Sequence, residues 1–115
     1  MKNALYGGLA FGLLTIAFLS FGQSAQPQKS EFLYFGATWC GPCNKMKSTT
    51  LEDPEVKKEL AKYQVKMYDI DQSPDIARQY NVTVVPTYLV VSKTVVVNRT
   101  TGYKPPTEFL DWLRQ

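Results

Sequence analysis

The chain has 115 residues, enough for one domain and too few for two. Its 13 Lys and Arg against 10 Asp and Glu give a net charge of +3, spread without a like-charge run, which argues against nucleic acid as a partner. There is no histidine, so Cys/His nucleophile pairs, imidazole acid–base chemistry and His-based metal sites are all removed.

The first segment carries Lys2 and then runs without charge from Ala4 to Phe21 before a polar, Pro-containing stretch, Gln23 to Ser30. A positive start, an apolar middle and a polar exit are the marks of an export signal. Residues 1–25 are therefore expected to be a signal peptide or an N-terminal membrane anchor, and residues 26–115 a separate domain. Gly7, Gly8, Gly12, Thr15 and Ser20 lower the hydrophobicity of the run, which favours cleavage, after Gly22 or after Ser24. If uncleaved, residues 4–21 contact the membrane, at the lower length limit for a span. A buried core helix is the bland alternative, and Leu, Phe and Ile on every face argue against it. No cysteine follows the run to carry a lipid anchor. In both favoured cases the domain is extracytoplasmic, in a periplasm or at the outer face of the cell membrane.

From Gln28 onward strands and helices alternate. Phe32 to Gly36 reads as a short buried strand and Cys43 to Thr50 as a polar helix. Asp53-Pro54 starts a further helix, with Asp as N-cap and Val56, Leu60 and Ala61 facing inward. Val65 to Ile70 is a second strand, and Ser73-Pro74 opens a short helix holding Ile76, Ala77 and Tyr80. Thr87 to Val91 and Val95 to Arg99 are β-branched runs joined by a hairpin over Ser92 to Thr94. Pro105-Pro106 introduces a last helix with Phe109, Leu110, Trp112 and Leu113 on its apolar face. The order β-α-β-α-β-β-α predicts an α/β domain with a mixed central sheet and helices on both sides.

The two cysteines, Cys40 and Cys43, fall between the first strand and the first helix, within Ala37-Thr38-Trp39-Cys40-Gly41-Pro42-Cys43. Unpaired N–H groups and the positive end of the helix dipole favour a thiolate there. Cys40, before the first turn, is expected to be the exposed, activated thiol, and Cys43 the shielded resolving thiol. Gly41 permits the tight turn, and Pro42 withholds an N–H that no helical bond needs. A structural disulfide is the main competing reading. A four-residue loop restricts the unfolded chain by only about 1.9 kcal/mol, against about 4.7 for a 100-residue loop. A zinc half-site lacks two further ligands, and a chance pair of buried thiols leaves the Trp, Gly and Pro unexplained.

Trp39-Cys40-Gly41-Pro42-Cys43 resembles the thioredoxin active-site motif at every position. Val85-Pro86-Thr87 is similar to the cis-proline loop of that family, which faces the cysteines and pairs its backbone with substrate. Thr50-Leu51-Glu52-Asp53-Pro54-Glu55-Val56 and the run from Gly102 to Leu110 resemble small exported thioredoxin-like proteins and the periplasmic C-terminal domain of the disulfide reductase DsbD. The resemblance covers residues 31–114. It implies a thioredoxin fold lacking the usual first strand and helix, Cys40 and Cys43 as the catalytic pair, and Val85, Pro86 and Thr87 as a substrate-binding edge. It implies no cofactor and no metal.

Two positions depart from the family. A buried Asp that thioredoxins carry six residues before the first cysteine is Tyr34 here. An acid that the DsbD-type domain carries four residues after the second is Lys47. Proton removal from Cys43 then falls to water, or Lys47 favours the thiolates electrostatically. Trp39 divides evenly between a substrate contact and a half-buried loop aromatic, while Tyr34 and Phe35 are expected in the core. Lys93, Arg99 and Lys104 are expected to be solvated. Asn81-Val82-Thr83 and Asn98-Arg99-Thr100 fit the glycosylation pattern, a common chance triplet.

The expected function is thiol–disulfide oxidoreduction outside the cytoplasm, of the protein-disulfide reductase type. Partners are protein or small thiol and disulfide substrates, with a membrane thiol-transfer protein supplying electrons. A non-catalytic binding module of the same fold, with a merely structural disulfide, is the rival.

Overall fold

The computed structural model describes residues 28–115. The export segment expected over residues 1–25 lies outside the described residues. Four strands, β1 (Glu31–Gly36), β2 (Gln64–Asp69), β3 (Thr87–Ser92) and β4 (Val95–Thr101), form one sheet in the order β2-β1-β3-β4. The helices are α1 (Gly41–Ser48), α2 (Pro54–Leu60), α3 (Pro74–Gln79) and α4 (Pro106–Leu113), with a 3-10 turn, Thr50–Glu52, between α1 and α2. All four helices carry proline in the first turn, where its fixed φ suits the helix and its missing N–H costs nothing. Asp53 caps α2 as expected, its Oδ1 accepting from the backbone N–H of Glu55 at 2.9 Å and of Val56 at 3.2 Å.

β1 pairs with β2 in parallel and with β3 antiparallel, and β3 pairs antiparallel with β4. A strand inside such a sheet must be apolar on both faces, and Phe32-Leu33-Tyr34-Phe35 is buried throughout. Phe32 and Tyr34 join Tyr88 and Val90 beneath α1, α2 and α4, while Leu33 and Phe35 join Leu89 and Val91 beneath α3 alone. An aromatic group holds α4 to the sheet: the Phe109 ring lies 5.3 Å from Tyr88, 5.9 Å from Phe32 and 5.6 Å from Trp112. The β3–β4 hairpin turns at Lys93 and Thr94, both at positive φ, which matches the twist of the flanking strands.

Several expectations change in detail. Ala61 is exposed and Glu59 joins Val56 and Leu60 in the buried stripe of α2, because the helix ends at Leu60 and its last turn packs Glu59 against Lys62 and Arg114. Arg99 is not simply solvated: its guanidinium donates to the carbonyls of Tyr80 and Asn81, both at 2.7 Å. Lys104 is largely covered and faces Glu108. Val65 and Met67 are 43% and 51% exposed, since β2 is an edge strand whose outer side pairs with nothing among the described residues. The place of the first strand and helix that the resemblance implies to be lacking falls before β1, outside the described residues.

The hydrogen bond from Lys62, with the charges of Lys62 and Arg114, holds the Glu59 carboxyl below its ordinary value of 4.5, outweighing the opposing effect of burial. A carboxylate depressed on folding stabilises the fold above the unfolded value, and that stability is lost as pH falls through the depressed one. Glu59→Gln is therefore expected to lower the thermal midpoint at pH 7 and to flatten its fall below pH 4.5. Equal acid sensitivity of both proteins would show that Glu59 does not carry it.

Candidate active site

Three strand pairings bring the candidate residues to one end of the sheet. β1 ends at Gly36 and leads to the cysteines. Its antiparallel neighbour β3 begins there, with Phe35 opposite Thr87, so Val85-Pro86 sits beside the cysteine loop. Parallel β2 ends there too, with Asp69 opposite Gly36, and leads to Asp71. β4 finishes with Thr101 opposite Thr87 and delivers Gly102 and Tyr103.

Cys40 and Cys43 are joined as a disulfide, with their Cα atoms 5.2 Å apart. Cys40 is the N-cap of α1, and its Sγ accepts from the backbone N–H of Cys43 at 3.2 Å. The first turn of the helix holds no acid, and Lys45 and Lys47 lie in its last turn, so nothing neutralises the positive dipole end. Contrary to the expectation of an exposed sulfur, Cys40 is only 4% exposed. Its N-cap bond turns the side chain back over the helix, and it belongs with Cys43 and Met46 to the main core, against which Val85 and Tyr103 pack.

Trp39 is the large apolar side chain the motif leaves exposed, at 67%, and it is held in place: its Nε1 donates to Asp71 Oδ2 at 2.9 Å. Asn44 Nδ2 donates to the Thr38 carbonyl at 3.1 Å, tying the same loop from the helix side. Asp71 and Asn44 were not among the residues expected from sequence. Asp71 lies 32 positions from Trp39, and only the parallel pairing of β1 with β2 brings them together. Gly41 and Pro42 form the exposed first turn of α1. Lys47 is exposed and is not part of the buried cysteine cluster; with Leu51, Leu60, Val65 and Met67 it lines a groove of about 350 Å³ on the flank of that core.

The Val85–Pro86 peptide is cis, as the loop resemblance implied. The Pro86 carbonyl accepts from Gly102 N at 2.9 Å, and Thr87 Oγ1 donates to the Val84 carbonyl at 2.6 Å. Gly102, at φ +89°, permits the turn that reaches Pro86. The loop beyond it is fixed by Thr50 Oγ1, which donates to the Lys104 carbonyl at 2.6 Å, and by Lys45 Nζ, 4.2 Å from the Tyr103 ring centroid. Among the described residues no three metal-ligating side chains lie together.

Tyr34 and Gly36 share one space under this loop. A Cβ on Gly36 would stand 2.2 Å from the Tyr34 hydroxyl oxygen and 2.6 Å from its Cζ. The Tyr34 ring thus runs along β1 toward the cysteine end. Burial, followed by the nearby Asp69 carboxylate, raises its phenol above the ordinary value, so the hydroxyl stays protonated.

A family model described as a thioredoxin-like domain matches residues 19–115. The chain is 34% identical over 84 residues to the thioredoxin of Mycoplasma genitalium, across 73% of this chain and 79% of that one. Its fold is similar to a solution structure of a thioredoxin from Thermus thermophilus, with TM-score 0.68 and 31% identity over 76% of this chain and 72% of the other. The reduced C-terminal domain of DsbD from Neisseria meningitidis shares the fold at TM-score 0.68 and 24% identity, over 78% and 83% of the two chains.

The shared space has a consequence for stability. Gly36→Ala is expected to cost about 1–3 kcal/mol, the usual range for forcing atoms into a filled core. Combining it with Tyr34→Leu removes the obstacle, so the double variant should lose less than the two single losses summed in urea unfolding. Strict additivity would show that Tyr34 is not what excludes a side chain at position 36.

Proposed function

The chain belongs to the thioredoxin-like family, and we propose that it is an extracytoplasmic thiol–disulfide oxidoreductase that reduces or shuttles disulfides in exported proteins. The observation that carries the redox reading is the Cys40–Cys43 disulfide across the first turn of α1, with Cys40 as the cap. In the reduced protein the same helix end favours the Cys40 thiolate. That thiolate attacks one sulfur of a substrate disulfide, forming a mixed disulfide and expelling the other substrate sulfur as a thiolate that takes a proton. Cys43, deprotonated, then attacks Cys40 Sγ. The substrate leaves as its second thiol and the internal disulfide closes, so two electrons pass from protein to substrate. A fresh dithiol must reopen Cys40–Cys43 for the next cycle.

Val85, Pro86 and Thr87 form the substrate edge in this reading. Val85 makes no backbone hydrogen bond among the described residues and precedes β3 beside the cysteine loop, which leaves its peptide groups available to an extended segment. The exposed faces of Trp39 and Val84 supply apolar contact at the same end. Delivery outside the cytoplasm is supported by the positive, apolar and polar succession of residues 1–30. Exported thiols meet oxidising surroundings, so the electron donor is assigned to a membrane thiol-transfer protein.

Cys40→Ser should abolish reduction of a model disulfide such as insulin, and Cys43→Ser should accumulate a mixed disulfide that a reductant releases. Full turnover by Cys43→Ser would reverse the assigned roles. Location is tested separately by a C-terminal reporter that is active only outside the cytoplasm. A signal from a cytoplasmic reporter alone would overturn export and leave the chemistry standing.

A further inference from the structure

Tyr34 is 2% exposed, and its hydroxyl has no hydrogen-bond partner. Burying such a group unpaired is unfavourable, and most buried hydroxyls find a partner. This one lies at the cysteine end of β1, because the ring runs over Gly36, and it shares a continuous apolar cluster with Cys40 and Cys43. The two sulfurs differ in what surrounds them. Cys40 Sγ already accepts from the Cys43 N–H, whereas Cys43 Sγ has no hydrogen bond among the described residues and is fully buried. While the disulfide is closed that is harmless, since neither sulfur is charged. When it opens, Cys43 becomes a thiol and, at the resolving step, a thiolate inside an apolar cluster, where an unpaired charge is strongly disfavoured.

Resting on the redox reading of the cysteines above, we propose that the Tyr34 hydroxyl is the hydrogen-bond donor to the Cys43 sulfur in the reduced protein, left unpartnered only while the disulfide is closed. Two electrons from an external dithiol break the Sγ–Sγ bond, each sulfur keeping one pair. The Tyr34 proton stays on its phenol oxygen and is shared with Cys43 Sγ as O–H···S. A donor, not a base, occupies this position, as the burial-raised phenol requires. It lowers the energy of the resolving thiolate without removing its proton, which leaves to water. Tyr88 supplies the comparison. Its hydroxyl is also buried and unpartnered, and its ring packs on Tyr34 at 5.9 Å as well as on Phe32, Phe109 and Trp112, but only the Tyr34 ring is placed over Gly36 toward the cysteine end.

The test equilibrates the full chain, purified in detergent, with glutathione buffers of graded ratio. Tyr34→Phe is expected to shift the dithiol–disulfide equilibrium about three- to tenfold toward the disulfide, the size of one net hydrogen bond. Tenfold corresponds to about 30 mV for this two-electron couple. Tyr88→Phe should leave the equilibrium unchanged. In a Cys40→Ser background, Tyr34→Phe should also raise the Cys43 thiol pKa, read from the Cys43 ¹³Cβ shift against pH. An unshifted equilibrium in a folded Tyr34→Phe protein, or a shift produced by Tyr88→Phe instead, would overturn the proposal. If Tyr34→Phe does not fold, the Tyr34 ¹³Cζ resonance of the unaltered chain decides: it should move on reduction, and an unmoved resonance refutes the bond. Failure of the unaltered chain to exchange with glutathione at all is a different outcome, which would sink the redox reading itself.

Discussion

β1 is hydrogen-bonded along both edges and buried on both faces, and the position of every candidate site residue follows from that. A strand paired in parallel on one side and antiparallel on the other gathers the end of one neighbour and the start of the other at its own C-terminus. Here these are Asp71 after β2 and Val85-Pro86 before β3, with Cys40 between them. The antiparallel hairpin adds the end of β4, so Gly102 can donate to the Pro86 carbonyl. Four segments far apart in sequence are thus set side by side by backbone bonds alone, before any side chain in the site makes a contact.

Side chains then set the chemistry. The helix begins at the cysteines because Cys40 caps it and Pro42 enters its first turn, so the structural start signal and the redox pair are the same residues. Burial of both sulfurs in the main core strengthens every dipole aimed at them, because the local dielectric is low. The same burial makes an unaided charge on Cys43 costly. Tyr34, at a position where thioredoxins carry an acid, meets that demand in a different way, and the absence of a side chain at Gly36 is what gives its ring room.

The sheet is covered unevenly. Three helices and an aromatic cluster lie on the face of Phe32 and Tyr34, and α3 alone lies on the face of Leu33 and Phe35 among the described residues. The β2 edge carries Val65 and Met67 in the open, with Lys66 bonded to Glu31 at 2.9 Å beside them. A charged residue on an edge strand discourages pairing with a second chain.

Local sequence determined the elements, because their causes are local. Apolar runs, β-branched runs and helix-starting prolines act within a few residues, and Asp53 caps the helix that follows it. The redox pair and its proline loop were legible through residue types in fixed spacing, Trp39 to Cys43 and Val85 to Thr87. The burial of Cys40, the anchoring of Trp39 by Asp71, the exclusion of a side chain at Gly36 and the exposure of Met67 were not legible. Each depends on which strand lies beside which, or on which edge is left open, and strand neighbours are set by long-range pairing that no local pattern encodes. Composition and spacing decided what the chemistry could be. Tertiary structure alone decided which residues stand within reach of it, because distance in space, not along the chain, governs a hydrogen bond.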